Sequence, residues 1–273
     1  MMRKGQQSAS EPCNFFILCI IQFTVMEKIS LKEISTRAPE EFDKDTTKKK
    51  TDKILNDLDD LQNLLFAEGK HAVLVVIQGM DASGKDGVIR NVFGVLNPQG
   101  VTVKSFKVPT PEELSHDFLW RVHHGAPAKG MIQIFNRSHY EDILITRVHG
   151  WCDDETAKKR MKAINDFENL LQEHNNTHIL KFYLHISMEE QHERLLERTK
   201  DPGKMWKYNE KDFEEAKRWD DYRKVYEDCF EHCDKIPWMI VPADQNWYKE
   251  FIIATALYDL LKSLDMKFPG LKR

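Results

Sequence analysis

The stretch GMDASGKDG, residues 79–87, follows the apolar run 73–77 and precedes a segment of helical character that starts near Val88. A strand, a glycine-rich turn with the spacing G-x4-G-K and a helix, in this order, are typical of a phosphate-binding loop, because the glycines let backbone N–H groups turn toward an anion. Lys85 can place a cation on a phosphate that is transferred. The alternative is a turn that binds nothing, and the agreement of strand, loop and helix favours phosphate binding.

Two carboxylates distinguish this loop from the usual pattern. Asp86 stands where Ser or Thr normally offers a hydroxyl to magnesium, so metal binding must be organised differently. Asp81, inside the loop, would repel a bare polyanion, and its presence is explained if a divalent cation lies between carboxylate and phosphate. The sequence therefore predicts a Mg²⁺ site that uses Asp81.

Composition limits the classes of function. The chain has 273 residues, 41% of them apolar, which is enough for one α/β domain with a substantial core. Forty basic and 44 acidic residues give a net charge of −4, so neither nucleic acid nor a membrane is expected as a partner. Five cysteines without paired spacing favour a reducing compartment, and we expect a cytoplasmic protein.

The N-terminal part of the chain divides into two segments. Residues 12–25 resemble a short secretory signal but lack a clear cleavage site, so we interpret residues 1–25 as an extension upstream of a chain that starts at Met26. Residues 26–50, which include a lysine run at 48–50, are expected to be partly mobile. Residues 51–273 are expected to form a single domain.

Apolar periodicity predicts strands that alternate with helices. Such alternation indicates an α/β fold with a parallel sheet covered by helices on both faces. The predicted strands are 73–77, 101–106, 131–135, 179–186 and 239–241, and the predicted helices are 54–65, 85–96, 111–123, 138–148, 157–171, 188–199, 213–233 and 247–264.

Polar residues follow the third predicted strand. Ligands of open α/β sheets bind at the carboxyl ends of strands, so Asn136 and Arg137 should face the phosphate loop. Arg137 can hold a phosphoryl oxygen and neutralise the charge of a loose transition state, although an Arg that only forms a salt bridge at the sheet edge is the alternative. Glu141 either stabilises a helix N-terminus or helps to bind magnesium, and Arg147 either extends a basic channel or lies in solvent.

A connector rich in cations precedes the fifth predicted strand, where nucleoside-type kinases carry a lid. A charge run of this kind is often only a solvated surface, but its position favours a lid at about residues 190–212 that closes over a polyanion. Its cations include Arg194, Arg198, Lys200, Lys204 and Lys207. The sequence shows no evident general base, which favours a phosphate group as acceptor, because its oxygen is already ionised near neutral pH.

Several motifs together resemble the polyphosphate kinase 2 family. They are GMDASGKDGVIRNVFGVLNPQGV, SFKVPTPEEL, HDFLWRVH, IFNRSHYEDILITRVH, FYLHIS, DPGKMWK and VPADQNWY, and the resemblance covers roughly residues 45–265. It implies a P-loop kinase-like three-layer α/β/α fold with a five-stranded parallel sheet and a helical lid. It also implies magnesium-dependent transfer of a phosphoryl group between inorganic polyphosphate and nucleotides.

The resemblance and the residues together give the expected site. Asp81, Lys85 and Arg137 are expected to be catalytic, and Asp81 and Glu141 are expected to hold Mg²⁺. The residues expected to bind phosphate are Gly79, Ala82, Ser83, Gly84, Asp86, Gly87, Arg90, Asn136, Arg147, Arg198, Lys204 and Lys207. Asn136 stands where many family members have Asp, which is similar to the subgroup that accepts both nucleoside mono- and diphosphates.

The sequence thus predicts an enzyme that moves a phosphoryl group reversibly between polyphosphate and AMP or ADP, or GMP and GDP, and that forms a homo-oligomer. Two other functions stay open at this point. One is an ATP-dependent kinase of nucleoside monophosphates, and the other is a nucleotide-binding protein without turnover.

Overall fold

Strand β1, Ala72–Gly79, is the centre of the sheet, and all of its residues are buried. The computed structural model describes residues 29–271, so the extension expected at residues 1–25 lies outside the described part of the chain. The other strands are β2 (Val101–Ser105), β3 (Ile132–Asn136), β4 (Thr177–His185) and β5 (Trp238–Pro242). All neighbouring strands pair in parallel in the order β2-β3-β1-β4-β5, which confirms the predicted five-stranded parallel sheet.

Helices cover both faces of this sheet. The helices are α1 (Lys44–Glu68), α2 (Lys85–Val88), α3 (Pro111–Leu114), α4 (Trp120–His123), α5 (Ile145–Val148), α6 (Asp154–Asn175), α7 (Met188–Lys200), α8 (Glu210–Ala216), α9 (Trp219–His232) and α10 (Asn246–Ser263). Helices α1 and α10 pack against each other, and α10 also contacts β4 and β5. Helix α6 packs on β4 and contacts α9. The α/β architecture predicted from the sequence is confirmed.

Local hydrogen bonds fix where the long helices begin and end. The Asp43 carboxylate accepts a hydrogen bond from the Thr46 N–H at the start of α1, and Gly69 ends this helix in the left-handed conformation. Helix α1 therefore begins earlier than the predicted residue 54, and the lysine run at 48–50 lies inside it. Ahead of it, Leu31 is buried and its N–H donates to the Glu227 carboxylate at 2.8 Å. The Thr36 hydroxyl and the Ala38 N–H donate to the side chains of Asp244 and Gln245, so residues 31–38 contact the domain.

The helix predicted at residues 85–96 is short and changes its geometry. After α2 the backbone continues as a π-helical turn, Ile89–Phe93, and then leaves the helix at Gly94. A Cβ at Gly94 would lie 2.3 Å from the carbonyl oxygen of Arg90, so only glycine lets the chain turn so closely on itself here.

The helix predicted at residues 111–123 is divided into α3 and α4. The Ser115 hydroxyl donates to the Glu112 carbonyl, and the Asp117 carboxylate accepts from the Leu119 N–H at 2.9 Å. These side chains compete with the hydrogen bonds that would continue the helix.

Two further predicted helices are also interrupted. The segment 138–148 forms a 3₁₀ turn, His139–Ile143, and then α5, because Leu144 has a non-helical backbone (φ −103°, ψ −82°). The segment 213–233 divides into α8 and α9 at Arg218. No helix in residues 29–271 is both long and apolar enough to cross a bilayer.

Candidate active site

The phosphate loop connects β1 to α2 in the middle of the sheet. Gly79, Ala82 and Gly84 have φ angles of 152°, 59° and 94°, so the chain reverses through conformations that favour glycine. A Cβ on Gly79 would lie 2.8 Å from the Ser83 hydroxyl and 3.0 Å from the Leu184 carbonyl oxygen. The loop is therefore packed tightly against the end of β4.

Lys85 turns back onto the loop that precedes it. Its Nζ donates to the carbonyl oxygens of Gly79 at 2.6 Å and Met80 at 2.9 Å, and the residue is only 8% exposed. Burial and the nearby charge of Arg137 lower the pKa of Lys85 to about 8. The ammonium group is thus held by the carbonyl oxygens of the phosphate loop itself.

Arg137 joins the end of β3 to the phosphate loop. Its backbone is left-handed (φ 60°), and its N–H donates to the Ile77 carbonyl oxygen at 3.1 Å. The guanidinium forms a short ion pair with Asp81 and a longer one, at 3.5 Å, with Glu141. The three predicted site residues lie together, as the ends of adjacent parallel strands require.

The charges in this cluster hold one another in their ionised forms. Burial alone would raise the pKa of Asp81, but the charges of Arg137 and Lys85 outweigh burial and lower it. Burial alone would also lower the pKa of Arg137, and the carboxylates of Glu141 and Asp81 raise it instead. Asp81 is therefore a carboxylate and Arg137 a cation at neutral pH.

Asp86 connects the loop to two other predicted site residues. Its carboxylate accepts from the Asn136 amide at 3.0 Å and forms an ion pair with Lys207 of the lid at 3.0 Å. Burial opposes ionisation of Asp86, and the hydrogen bonds with Lys207 and Asn136 outweigh it and lower its pKa. The residue that replaces the usual loop hydroxyl thus links the loop to β3 and to the lid.

The other predicted cations lie in different places. Arg198 pairs with Asp212 at 2.6 Å, and its charge contributes to the lowered pKa of Asp81. Lys204 pairs with Glu197 at 2.6 Å within the lid. The structure brings Arg198 toward the loop carboxylate, whereas Lys204 makes its contacts inside the lid.

Arg147 and Arg90 do not contact the loop. Arg147 is held by the carboxylates of Asp228 at 2.5 Å and Asp154 at 2.8 Å. Arg90 is exposed and donates to the side chain of its neighbour Asn91. Their roles in phosphate binding stay predictions.

An open pocket lies beside the Asp81–Arg137 pair, and one wall of it was not predicted from the sequence. This wall is formed by Leu144, Ala216, Trp219, Tyr222 and Tyr226. Tyr222 is oriented by a hydrogen bond from its hydroxyl to the Glu215 carboxylate at 2.6 Å. The aromatic residues recur at helical spacing along α9, which could have identified a helix face but not the face that meets the loop.

Buried charges support the segment that carries Arg137 and Glu141. Lys181 of β4 and Glu168 of α6 are fully buried and form an ion pair at 3.0 Å. The Tyr140 hydroxyl donates to Glu168 at 2.7 Å and accepts from Lys181 at 2.8 Å. His139 also lies 3.3 Å from Glu168. This network fixes the 3₁₀ turn that follows Arg137.

The carboxylates of Asp81 and Glu141 are suited to a hard cation. Both are held at one pocket, and Mg²⁺ is commonly bound by one or two carboxylates together with substrate phosphates and water. Within residues 29–271 no cluster of three or more His, Cys, Asp or Glu side chains could ligate a metal ion. The donor set thus fits a cation that takes its remaining ligands from phosphate and water rather than a protein-only site.

A parallel α/β sheet with a G-x4-G-K loop after its central strand, an arginine at the end of the next strand and a lid paired to the loop defines a P-loop phosphotransferase of the kinase type. The family model described as polyphosphate kinase 2 matches residues 41–269. The chain belongs to the polyphosphate kinase 2 family.

Two named phosphotransferases and one solved structure agree with this family assignment. The chain is 48% identical over 214 residues to an AMP/ADP-polyphosphate phosphotransferase of Meiothermus ruber, covering 78% of this chain and 80% of that protein. It is 43% identical over 226 residues to an ADP-polyphosphate phosphotransferase of Rhodopseudomonas palustris, with 78% of each chain covered. The crystal structure of polyphosphate kinase 2 from Arthrobacter aurescens is 40% identical, with a TM-score of 0.87, and covers 91% of this chain and 90% of that one.

Proposed function

We propose that this protein transfers the terminal phosphoryl group of inorganic polyphosphate to AMP and ADP, and catalyses the reverse reactions. The observation that carries the proposal is the pair of Asp81 and Arg137 at one pocket, beside a phosphate loop whose carbonyl oxygens hold Lys85, in a member of the polyphosphate kinase 2 family. The M. ruber relative, whose name gives both AMP and ADP as substrates, supports the choice of acceptors.

The residues of the site serve binding and charge stabilisation. The end of the polyphosphate chain occupies the loop, where backbone N–H groups and Lys85 bind its oxygens. An oxygen of the nucleotide phosphate forms a bond to the terminal phosphorus, while the bond to the penultimate phosphate breaks and the shortened polyphosphate leaves. Arg137 stabilises the charge that spreads over the transferred group. No general base is needed, because the attacking oxygen is already ionised.

Asp81 and Glu141 are the residues that would hold Mg²⁺, which, when bound, neutralises charge on the phosphate oxygens. Their present partner is Arg137, so the same guanidinium keeps both carboxylates oriented toward the pocket. The aromatic side chains of Trp219 and Tyr222 give the pocket an apolar side that suits a nucleotide better than inorganic phosphate alone.

The lid closes the site from the other side. Arg198 lies near Asp81, and Lys207 reaches Asp86 across 3.0 Å. These cations attract a polyanion and exclude water from the reacting phosphates. A cytoplasmic location and a homo-oligomeric state are also part of this proposal and rest on the composition and on the resemblance.

The test is a donor and acceptor matrix with the purified protein. Polyphosphate or ATP is the donor, AMP, ADP, GMP or GDP is the acceptor, magnesium is present throughout, and the products are separated by chromatography. The proposal expects ADP and ATP to appear from AMP when polyphosphate is the only donor. Activity with ATP alone and none with polyphosphate would identify an ATP-dependent nucleoside monophosphate kinase, and nucleotide binding without any product would identify a non-catalytic protein.

A further inference from the structure

Two basic side chains, Lys249 and Arg194, donate hydrogen bonds to carbonyl oxygens of the phosphate loop. The Nζ of Lys249, on α10, donates to the Ser83 carbonyl oxygen at 3.1 Å, and this lysine is only 1% exposed. Arg194, on α7, donates to the carbonyl oxygens of Ala82 at 3.1 Å and Ser83 at 3.2 Å. Its other terminal nitrogen donates to the carbonyl oxygens of Ala243 and Asp244. The loop is thus tied to the base of the lid and to the segment after β5.

These contacts determine the orientation of a peptide plane. In a trans peptide unit the C=O and the following N–H point in opposite directions. Anchoring the Ser83 carbonyl oxygen therefore directs the N–H of Gly84 away from Lys249. Loops of this kind bind phosphate oxygens through backbone N–H groups that point into one concavity.

The approach of Lys249 also explains a loop glycine. A Cβ on Gly84 would lie 2.1 Å from the Nζ of Lys249. Gly84 has a φ angle of 94°, a conformation that strains any residue with a Cβ. A larger residue here would also displace the Lys249 ammonium from the Ser83 carbonyl oxygen.

The charge of Lys249 depends on its surroundings. Burial and the nearby charge of Arg194 lower the pKa of Lys249 to about 7, with Lys85 contributing in the same direction. Glu250 on the same helix and Glu190 on α7 oppose this effect. The side chain of Asn246 accepts from Nζ at 2.6 Å and stabilises the charged form.

We propose that Lys249 is a positioning residue for phosphoryl transfer: in its protonated form it holds the Ser83 carbonyl oxygen and so presents the Gly84 N–H to the donor phosphate. Lys249 touches no substrate and acts only through the loop backbone. The inference rests on the proposed function for the identity of the donor, because the loop is taken to bind the end of a polyphosphate.

The experiment compares K249M with wild type and with K262M. Lys262 is an exposed lysine on the same helix whose Nζ donates to the Tyr258 hydroxyl, so K262M controls for the loss of a lysine from α10. Tripolyphosphate is the probe, its affinity is measured by calorimetry at about pH 6 and pH 8, and thermal unfolding is followed in parallel. We expect K249M to bind tripolyphosphate about 10- to 100-fold more weakly than wild type at pH 6. A decrease of this size corresponds to the loss of one hydrogen bond that involves a charged group.

The pH dependence separates positioning from a purely structural role. Wild type should lose affinity between pH 6 and pH 8 as Lys249 loses its proton, and K249M should show less of this loss. N246A, which removes an exposed acceptor of the Lys249 ammonium, should move the loss to lower pH, because the charged form is then less stabilised. If K249M does not fold, the pH dependence of tripolyphosphate affinity in N246A tests the role of Lys249 on its own.

Distinct results overturn the two proposals. If wild type is active with polyphosphate but K249M binds tripolyphosphate as wild type does, with the same pH dependence, Lys249 does not position the loop. The same conclusion follows if N246A leaves the pH dependence unchanged. If wild type transfers no phosphoryl group from polyphosphate, the proposed function fails, whatever the binding results are.

Discussion

The guanidinium of Arg137 at the end of β3 is paired with the carboxylate of Asp81 in the loop after β1. The pair joins two adjacent strands at their carboxyl ends, where open α/β sheets bind ligands. Because Arg137 also pairs with Glu141, one cation orients both carboxylates of the pocket. The charged groups that we propose to act in phosphoryl transfer are thus already in contact with one another.

Replacing Asp81 by Asn should impair turnover much more than folding. The substitution removes the loop carboxylate that we propose to hold Mg²⁺, and we expect kcat to fall about 10²- to 10³-fold, as for the loss of one charge-stabilising group in an active site. The unfolding free energy should change by about 1 kcal/mol, because Arg137 keeps its pairing with Glu141.

Asp166→Asn is the matched control for that variant. Asp166 is an exposed carboxylate on α6 that pairs with Lys162 at 2.7 Å and does not line the pocket. It should leave both kcat and thermal stability as in wild type. A correctly folded D81N protein with nearly full turnover would remove Asp81 from the catalytic site.

The affinity for polyphosphate should decrease as the pH rises through about 8. Lys85 has its pKa lowered to about 8, so its charge is present below this pH and is lost above it, and only the charged form attracts phosphate. The measurement is kcat/KM for polyphosphate from pH 7 to pH 9.5. K85M should have a lower kcat/KM than wild type below about pH 8, differ less from it above that pH, and show no decrease in this range beyond that caused by Lys249. An equally steep decrease in K85M would assign the titration to another group.

Asn136→Asp should shift acceptor preference from AMP toward ADP. The Asn136 amide donates to Asp86 at 3.0 Å, and an Asp there would place two carboxylates in contact, which raises the pKa of one of them and loosens the loop. We expect the ratio of kcat/KM for AMP to that for ADP to fall in the variant. Steady-state rates with each acceptor at fixed polyphosphate provide the measurement, and an unchanged ratio would separate Asn136 from acceptor choice.

The buried pair of Glu168 and Lys181 should make stability depend on acid pH. Burial opposes ionisation of Glu168, but the Lys181 charge and the hydrogen bonds from His139 and Tyr140 lower its pKa to about 2, below the ordinary 4.5 of the unfolded chain. This contribution, of order 3 kcal/mol, is fully present above about pH 5 and is lost as the pH falls toward 2. Denaturant unfolding at a series of pH values measures it.

A variant of the same pair provides the control. E168Q leaves the buried Lys181 ammonium without a counter-charge and should cost about 3–5 kcal/mol. The double substitution of Glu168 and Lys181 by Met should recover most of this loss and weaken the pH dependence. Equal stability of E168Q and wild type at pH 7 would contradict the role of the ion pair.

Much of the sheet and the loop could be predicted because both depend on local sequence. The apolar run 73–77 and the spacing from Gly79 to Lys85 determine a strand and a turn with little help from the rest of the chain. The interruption of the predicted helix 111–123 at Ser115 and Asp117 arises because their side chains form hydrogen bonds with nearby backbone groups in place of helical ones. The spacing of apolar residues does not show where this happens.

The less predictable parts of the site are contacts between distant segments. Lys207 meets Asp86 across 121 positions of the chain, and Lys249 meets Ser83 across 166. Such partners are fixed by how α7 and α10 pack around the sheet, which a single sequence does not reveal. Arg147 shows the same limit, since the sequence left open whether it extends a basic channel or lies in solvent, and its pairing with Asp228, 81 positions along the chain, could not be predicted.

Phosphorus NMR of one reaction tests the central proposal most directly. Wild-type protein is mixed with ADP, polyphosphate and magnesium, with no other phosphoryl donor, and spectra are followed in time. The account predicts that the γ-phosphate resonance of ATP grows as internal polyphosphate is consumed, without matching release of orthophosphate. Release of orthophosphate without ATP, or unchanged polyphosphate while the protein remains folded, would contradict it.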